Sequence, residues 1–137
     1  MPQTPDSLAR SARHVFVYGT LRRGGANDIN RLAPAPAFVG TAQIEGVMHH
    51  LGAYPGVRLQ AGGTVQGEVY AIAPEVERLL DEIEMILPEP TGEYLKRELA
   101  VQVGPRQLAC LVYEISPAHA DGKPVIASGD WIANKDG

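Results

Sequence analysis

The sequence predicts an α+β fold in which about six strands coil into a small barrel against one main helix. Three observations carry this. Short β-prone runs recur along the chain from residue 14, several of them are interrupted by glycine, and a single segment has an unbroken helical stripe. Glycine inside a strand marks a bulge or a sharp coil, which a small barrel requires.

The first strand is His14-Val15-Phe16-Val17-Tyr18, which stops at Gly19 and passes into the loop Thr20-Leu21-Arg22-Arg23-Gly24-Gly25. A helical turn is expected from Asn27 to Leu32, ended by Pro34 and Pro36, since proline removes a donor and fixes φ. Phe38 to His49 alternates loosely, with Gly40 and Gly46 inside it, and Ala53-Tyr54-Pro55-Gly56 and Gly62-Gly63 read as turns. Thr64 to Ile72 is a strand with Val65, Gly67, Val69 and Ala71 on one face. The helix is Pro74 to Glu84, with proline at its first position and Glu75 and Glu77 where the dipole favours anions. Val76, Leu79, Leu80 and Ile83 form its apolar stripe at i, i+3, i+4 and i+7. Pro88 and Pro90 force a loop. Leu95, Arg97, Leu99, Val101 and Val103 then share a strand face, and a turn at Gly104-Pro105-Arg106-Gln107 leads into a last long strand, Leu108 to Ile115. Val125-Ile126 and Gly129-Asp130-Trp131-Ile132 follow a loop containing Pro117 and Gly122. Residues 1–13 are expected to be a flexible lead-in and 14–137 a single domain.

The 137 residues suffice to bury a core without disulfides or metals, and Cys110 has no cysteine partner in the chain. The net charge of -4, from 12 basic and 16 acidic residues, comes without a basic cluster, so no nucleic-acid partner is expected. Met1 to Arg13 contains no apolar run and no stretch approaches the ~20 residues of a membrane span, so a cytoplasmic protein is expected. His49 and His50 are adjacent and point to opposite faces of a strand, and no other spacing suggests a metal.

Tyr18-Gly19-Thr20-Leu21, at the end of a strand, is a plausible anion cradle. Gly19 allows a sharp turn and close approach of the backbone, so that successive N–H groups point into one concavity, and Thr20 adds a hydroxyl. Taken alone, the tetrapeptide is better explained as a structural turn, since strand-to-turn junctions with Gly and Thr are common. Five further segments accompany it in order: Gly40-Thr41-Ala42, Tyr54-Pro55-Gly56, Val65-Gln66-Gly67-Glu68-Val69-Tyr70, Leu80-Asp81-Glu82-Ile83-Glu84 with Tyr94 and Arg97 after it, and Ser128-Gly129-Asp130-Trp131. In this ordered set the chain resembles the γ-glutamylcyclotransferase-like superfamily, and within it the avirulence-induced-gene-like branch that includes γ-glutamylamine cyclotransferases.

The resemblance implies a small closed mixed β-barrel with flanking helices and no cofactor. It implies a substrate held by backbone amides of the Tyr18–Leu21 loop, with Tyr54 also at the substrate, and one Glu as acid/base, which maps to Glu84 and not Glu82. The implied reaction is attack of the α-amine of a γ-glutamyl amine, amide or peptide on its own γ-carbonyl, releasing 5-oxoproline and a free amine. The alternative is a module on the same fold that has lost catalysis and binds a small carboxylate. Met85 stands where the family has Gly, and the resemblance implies that Met85 and the proline-rich segment 86–92 touch the wall of the site. The helix by itself does not select Glu84. Both Glu84 and Glu75 lie about 90° from the middle of the stripe, which favours solvated surface. Glu75 is explained by the helix start, whereas Glu84 sits at the negative end of the dipole.

Arg97, inward by alternation, either meets Glu84 or the substrate carboxylate, or snorkels outward at an edge. Tyr94 falls on the opposite face. Asn27 fits a position where relatives carry a loop amide and equally fits a helix N-cap. Cys110 reads as a core residue, and Trp131 as packing for one end of the barrel, with Asp130 capping a turn.

Overall fold

The computed structural model describes residues 13–25, 28–52, 54–83 and 92–131. Its strands are β1 (Arg13–Val17), β2 (Ala37–Glu45), β3 (Val47–His50), β4 (Pro55–Arg58), β5 (Thr64–Ile72), β6 (Tyr94–Val103) and β7 (Arg106–Ile115). The α-helices are α1 (Pro74–Ile83) and the short α2 (Pro117–Ala120), and Ile29–Arg31 forms a 3-10 turn whose cap, Asp28, accepts from the Asn30 N–H. The α+β class is as expected. The closed barrel is not found. The main sheet has five strands in the order β2-β5-β1-β7-β6, with β2 and β6 as open edges, and β3 pairs with β4 in a second, two-stranded sheet, with one further bridge from His49 to Val125.

Gly46 is where closure is diverted. The run from 38 to 49, expected as one strand, breaks there, and Gly46 N–H bonds the Gly63 carbonyl at 3.1 Å. The chain beyond it leaves the main sheet and pairs Val47–His50 with Pro55–Arg58, whose first two residues were expected in the turn Ala53-Tyr54-Pro55-Gly56. The two edges still curl towards each other: a Cβ at Gly40 on β2 would lie 2.7 Å from Val103 Cγ1 on β6. Proximity without a ladder leaves the sheet strongly coiled and open.

β1 lies between β5, antiparallel in the register Arg13↔Ile72 to Val17↔Glu68, and β7, parallel at His14↔Cys110 and Val15↔Leu111. A strand inside such a sheet buries both faces and reads as a continuous apolar run. Val15, Phe16 and Val17 are each at most 2% exposed. Alternation sends Phe16 to one core, with Val65, Val69, Val101, Val103, Cys110, Val112, Ile126 and Trp131. Val15 and Val17 enter the other, with Tyr70, Ile72, Val76, Leu80, Tyr94 and Leu111. Burial pushes the Cys110 thiol up to about 11. With so little thiolate and no exposure, Cys110 is expected to react with a thiol reagent such as DTNB only after denaturant is added. Full modification of the native protein would contradict this placement.

The helix packs on the second core, but not through the whole predicted stripe. Val76 and Leu80 are fully buried and Leu79 partly, whereas Ile83 is 39% exposed and Asp81 is buried. The buried arc is therefore rotated towards Asp81. The cause lies in the sheet: Tyr113 on β7 and Lys96 on β6 present polar atoms under α1 and draw the carboxylate inward.

Candidate functional site

The turn after β1 closes with Arg22 N–H on the Gly19 carbonyl at 3.0 Å, and Ile29 N–H bonds the Leu21 carbonyl at 2.9 Å. No described group accepts from the amides of Gly19 or Leu21. Gly19 is required for space: a Cβ there would sit 2.7 Å and 2.9 Å from Pro55 Cγ and Cδ. Gly19→Ala should therefore cost about 1–3 kcal/mol by overpacking. Urea denaturation measures this, and an unchanged midpoint would place Pro55 away from the turn.

Contacts to three distant residues, Glu68, Asp130 and Phe38, hold the turn. The buried Glu68 carboxylate on β5 accepts from Arg22 Nε at 3.2 Å, from Arg23 N–H at 2.9 Å and from the Tyr70 hydroxyl at 2.8 Å. Arg22 Nη1 donates in turn to Asp130 Oδ1 at 2.8 Å, so the segment 128–131 is tied to the same loop. The Arg23 guanidinium lies 5.0 Å from the centre of the Phe38 ring, which meets Tyr70 edge-on. Burial and the Glu68 carboxylate raise the Tyr70 phenol above its usual range, against the lowering pull of Asn30 and Arg23. In the sequence Glu68 stood only as a member of a matching segment, and Asp130 as a member of another and as the cap of a turn. Alternation along the strand put Glu68 on the face opposite Val65, Gly67, Val69 and Ala71, so no local signal marked it as a buried carboxylate.

Tyr18 is 7% exposed, with its hydroxyl donating to the Tyr113 carbonyl at 2.6 Å and accepting from Val57 N–H at 3.3 Å. That side chain bridges β1, β4 and β7, so its hydroxyl is committed to holding these strands together. Thr20 is half-buried, and Leu21 enters the second core beside Val76 and Leu80. The turn and the helix that precedes Glu84 thus rest on one core. Tyr54 sits at the surface with its hydroxyl on Glu93 Oε2 at 2.6 Å, next to the Pro55 that touches Gly19. The buried Tyr94 donates its hydroxyl to the Pro55 carbonyl at 2.9 Å. Gly19, Tyr54, Pro55 and Tyr94 therefore form one neighbourhood, in which Tyr94 takes part from the face opposite Arg97.

Arg97 takes the outward alternative. Its side chain is 51% exposed, and its Nε donates to Glu114 Oε1 at 3.0 Å. Glu114 also binds Leu59 N–H at 2.8 Å and Arg58 Nη1 at 3.0 Å, so this carboxylate joins β4 and β6 to β7. Glu84 and Asn27 lie outside the described residues. A cleft of about 520 Å³ opens between β2 and β6, lined by Gln43, Ile44, Leu59, Leu99 and Gln102 among others. It includes none of the residues singled out by the sequence. Among the described residues no three His, Cys, Asp or Glu side chains converge as a metal site, and no helix is long and apolar enough to cross a membrane.

The family model described as "Gamma-glutamyl cyclotransferase, AIG2-like" matches residues 15–133. The crystal structure of an AIG2-like protein from Mus musculus superposes with a TM-score of 0.71 at 27% identity, covering 87% of this chain and 88% of that one. Protein ytfP from Escherichia coli, a solution structure, is 31% identical with a TM-score of 0.60, over 89% of this chain and 98% of its own. A structure described as a gamma-glutamyl cyclotransferase shares the fold at 18% identity and a TM-score of 0.61, covering 83% of this chain and 69% of that one. No curated protein sequence matches the chain.

Proposed function

We propose, on the premise that this chain belongs to the AIG2-like gamma-glutamyl cyclotransferase family, that it cyclises a small γ-glutamyl compound to 5-oxoproline. The observation that carries this is the turn after β1, whose Gly19 and Leu21 amides have no acceptor among the described residues. Those donors suit the substrate's α-carboxylate or the oxyanion that forms at its γ-carbonyl.

The reaction begins with a protonated α-amine, which is not a nucleophile. Glu84 takes a proton from it, and the nitrogen attacks the γ-carbonyl carbon to form the five-membered ring. The carbonyl electron pair moves onto oxygen and returns as the bond to the outgoing nitrogen breaks. Glu84 delivers its proton to that nitrogen, and the second proton shed by the attacking nitrogen passes to the outgoing amine, so 5-oxoproline and an ammonium ion leave and the carboxylate is regenerated. Nucleophile and electrophile belong to one molecule, so holding the chain in its folded-back conformer supplies much of the acceleration. A rigid turn serves that purpose, and the Glu68–Arg22–Asp130 network makes this one rigid.

A panel of γ-glutamyl amines, amides and dipeptides, assayed for 5-oxoproline release, tests the proposal. Turnover of at least one member is the expected result. Binding of a member without turnover would instead establish the carboxylate-binding alternative, for which Met85 in place of the family's Gly is the supporting observation. Neither turnover nor binding across the panel would refute both.

A further inference from the structure

We propose that Asp81, Lys96 and Tyr113 form a clamp that fixes the end of α1 from which the chain reaches Glu84, and that they are positioning residues for its proton transfers. This rests on the role given to Glu84 above. Asp81 lies in the last turn of α1, where the negative end of the dipole disfavours an acid, and at 8% exposure it is also largely removed from water. A carboxylate opposed on both counts persists only if strong partners compensate. Here they come from two strands: the Tyr113 hydroxyl donates to Oδ1 at 2.6 Å, and Lys96 Nζ donates to Oδ2 at 2.9 Å.

The same ammonium donates to Glu77 Oε2 at 2.6 Å, one helical turn earlier. Burial alone would lower the Lys96 pKa, but its bonds to Glu77 and Asp81 carry it above the usual lysine value, so the cation is present throughout the neutral range. The arrangement fixes what apolar packing leaves loose. Val76 and Leu80 attract the sheet without direction, so they permit small slides and rotations of the helix. Directed bonds at i and i+4 to one Nζ, with a third from Tyr113, set both the height and the rotation of α1. Ile83 is 39% exposed and adds no anchor, so Asp81 is the last buried side chain before Glu84. Three residues span at most about 10 Å, and an error of about 1 Å in a catalytic group can cost 10²-fold.

The test compares Tyr113→Phe, Lys96→Met, Lys96→Arg and, in the other core, Ile126→Ala, with the substrate found by the 5-oxoproline assay. Tyr113→Phe and Lys96→Met should each lower kcat by about 10- to 100-fold while KM stays within about threefold, because the turn amides and not the clamp hold the substrate. Lys96→Arg, which keeps the cation, should recover most of that loss. Ile126→Ala should lower the Tm but leave kcat unchanged well below it, which separates positioning from general destabilisation. Should Lys96→Met fail to fold, Tyr113→Phe decides the matter, since it removes one hydroxyl and no charge. If Tyr113→Phe keeps kcat within about twofold of the unmodified protein while Glu84→Gln is inactive, the clamp is overturned and the role of Glu84 stands. If Glu84→Gln keeps full activity, or no γ-glutamyl compound is turned over at all, the role of Glu84 fails and the clamp fails with it.

Discussion

Glu84→Gln should lower kcat for 5-oxoproline release by about 10²- to 10⁴-fold, the usual loss when general acid/base help is removed. Glutamine keeps the shape of the side chain but can neither take the ammonium proton nor protonate the leaving nitrogen. Substrate binding should survive, because it is assigned to the turn after β1. Glu82→Gln is the internal control: its carboxylate is exposed and, among the described residues, reaches only Arg78, at 3.7 Å across one helical turn. A surface pair of this kind contributes little, so activity and stability should both hold. Steady-state kinetics on the two variants is the measurement. Full activity in Glu84→Gln together with its loss in Glu82→Gln would move the acid/base function two residues along the chain.

Glu68→Ala should give the largest loss of stability, about 3–5 kcal/mol, as expected when one partner of a buried charge network is removed. Arg22, the Arg23 N–H and the Tyr70 hydroxyl would all lose their acceptor at once. Arg22 would retain Asp130, which is more exposed than Glu68 and holds only one of its nitrogens. Urea denaturation gives the free energy directly, and the Tm should fall by roughly ten degrees or more. At temperatures where the variant remains folded, KM should rise, since a turn released from β5 presents its amides less well to the substrate. A loss below about 1 kcal/mol would show that Glu68 does not anchor the turn.

The same network marks where the sequence stops being sufficient. Strand β5 and the helix from Pro74 were legible because their signals are local: two-residue alternation, proline at a helix start, and acids in the first turn. The Gly19 turn was legible for the same reason, and its meaning came from the order of the segments around it. The partners of Arg22 lie 46 and 108 residues away, and nothing in the spacing connects them. Helical periodicity likewise placed Ile83 inside and left Asp81 unassigned, because it weighs apolar residues and cannot see a lysine and a tyrosine waiting on another element.

What the sequence determined alone is the strand-rich α+β class, the main helix, the Gly19 turn and the ordered segments that identify the family. Only the tertiary structure decided that β1 would pair antiparallel with β5 and parallel with β7, and that the sheet would stay open between β2 and β6. It also decided that Arg97 would turn to Glu114, and that Tyr94 would reach Pro55 beside the turn. The division has one physical cause. Backbone conformation and amphipathic period are set by neighbours within a few residues, whereas strand pairing, closure and the partner of a buried charge depend on which distant segments compete for the same edge or the same donor.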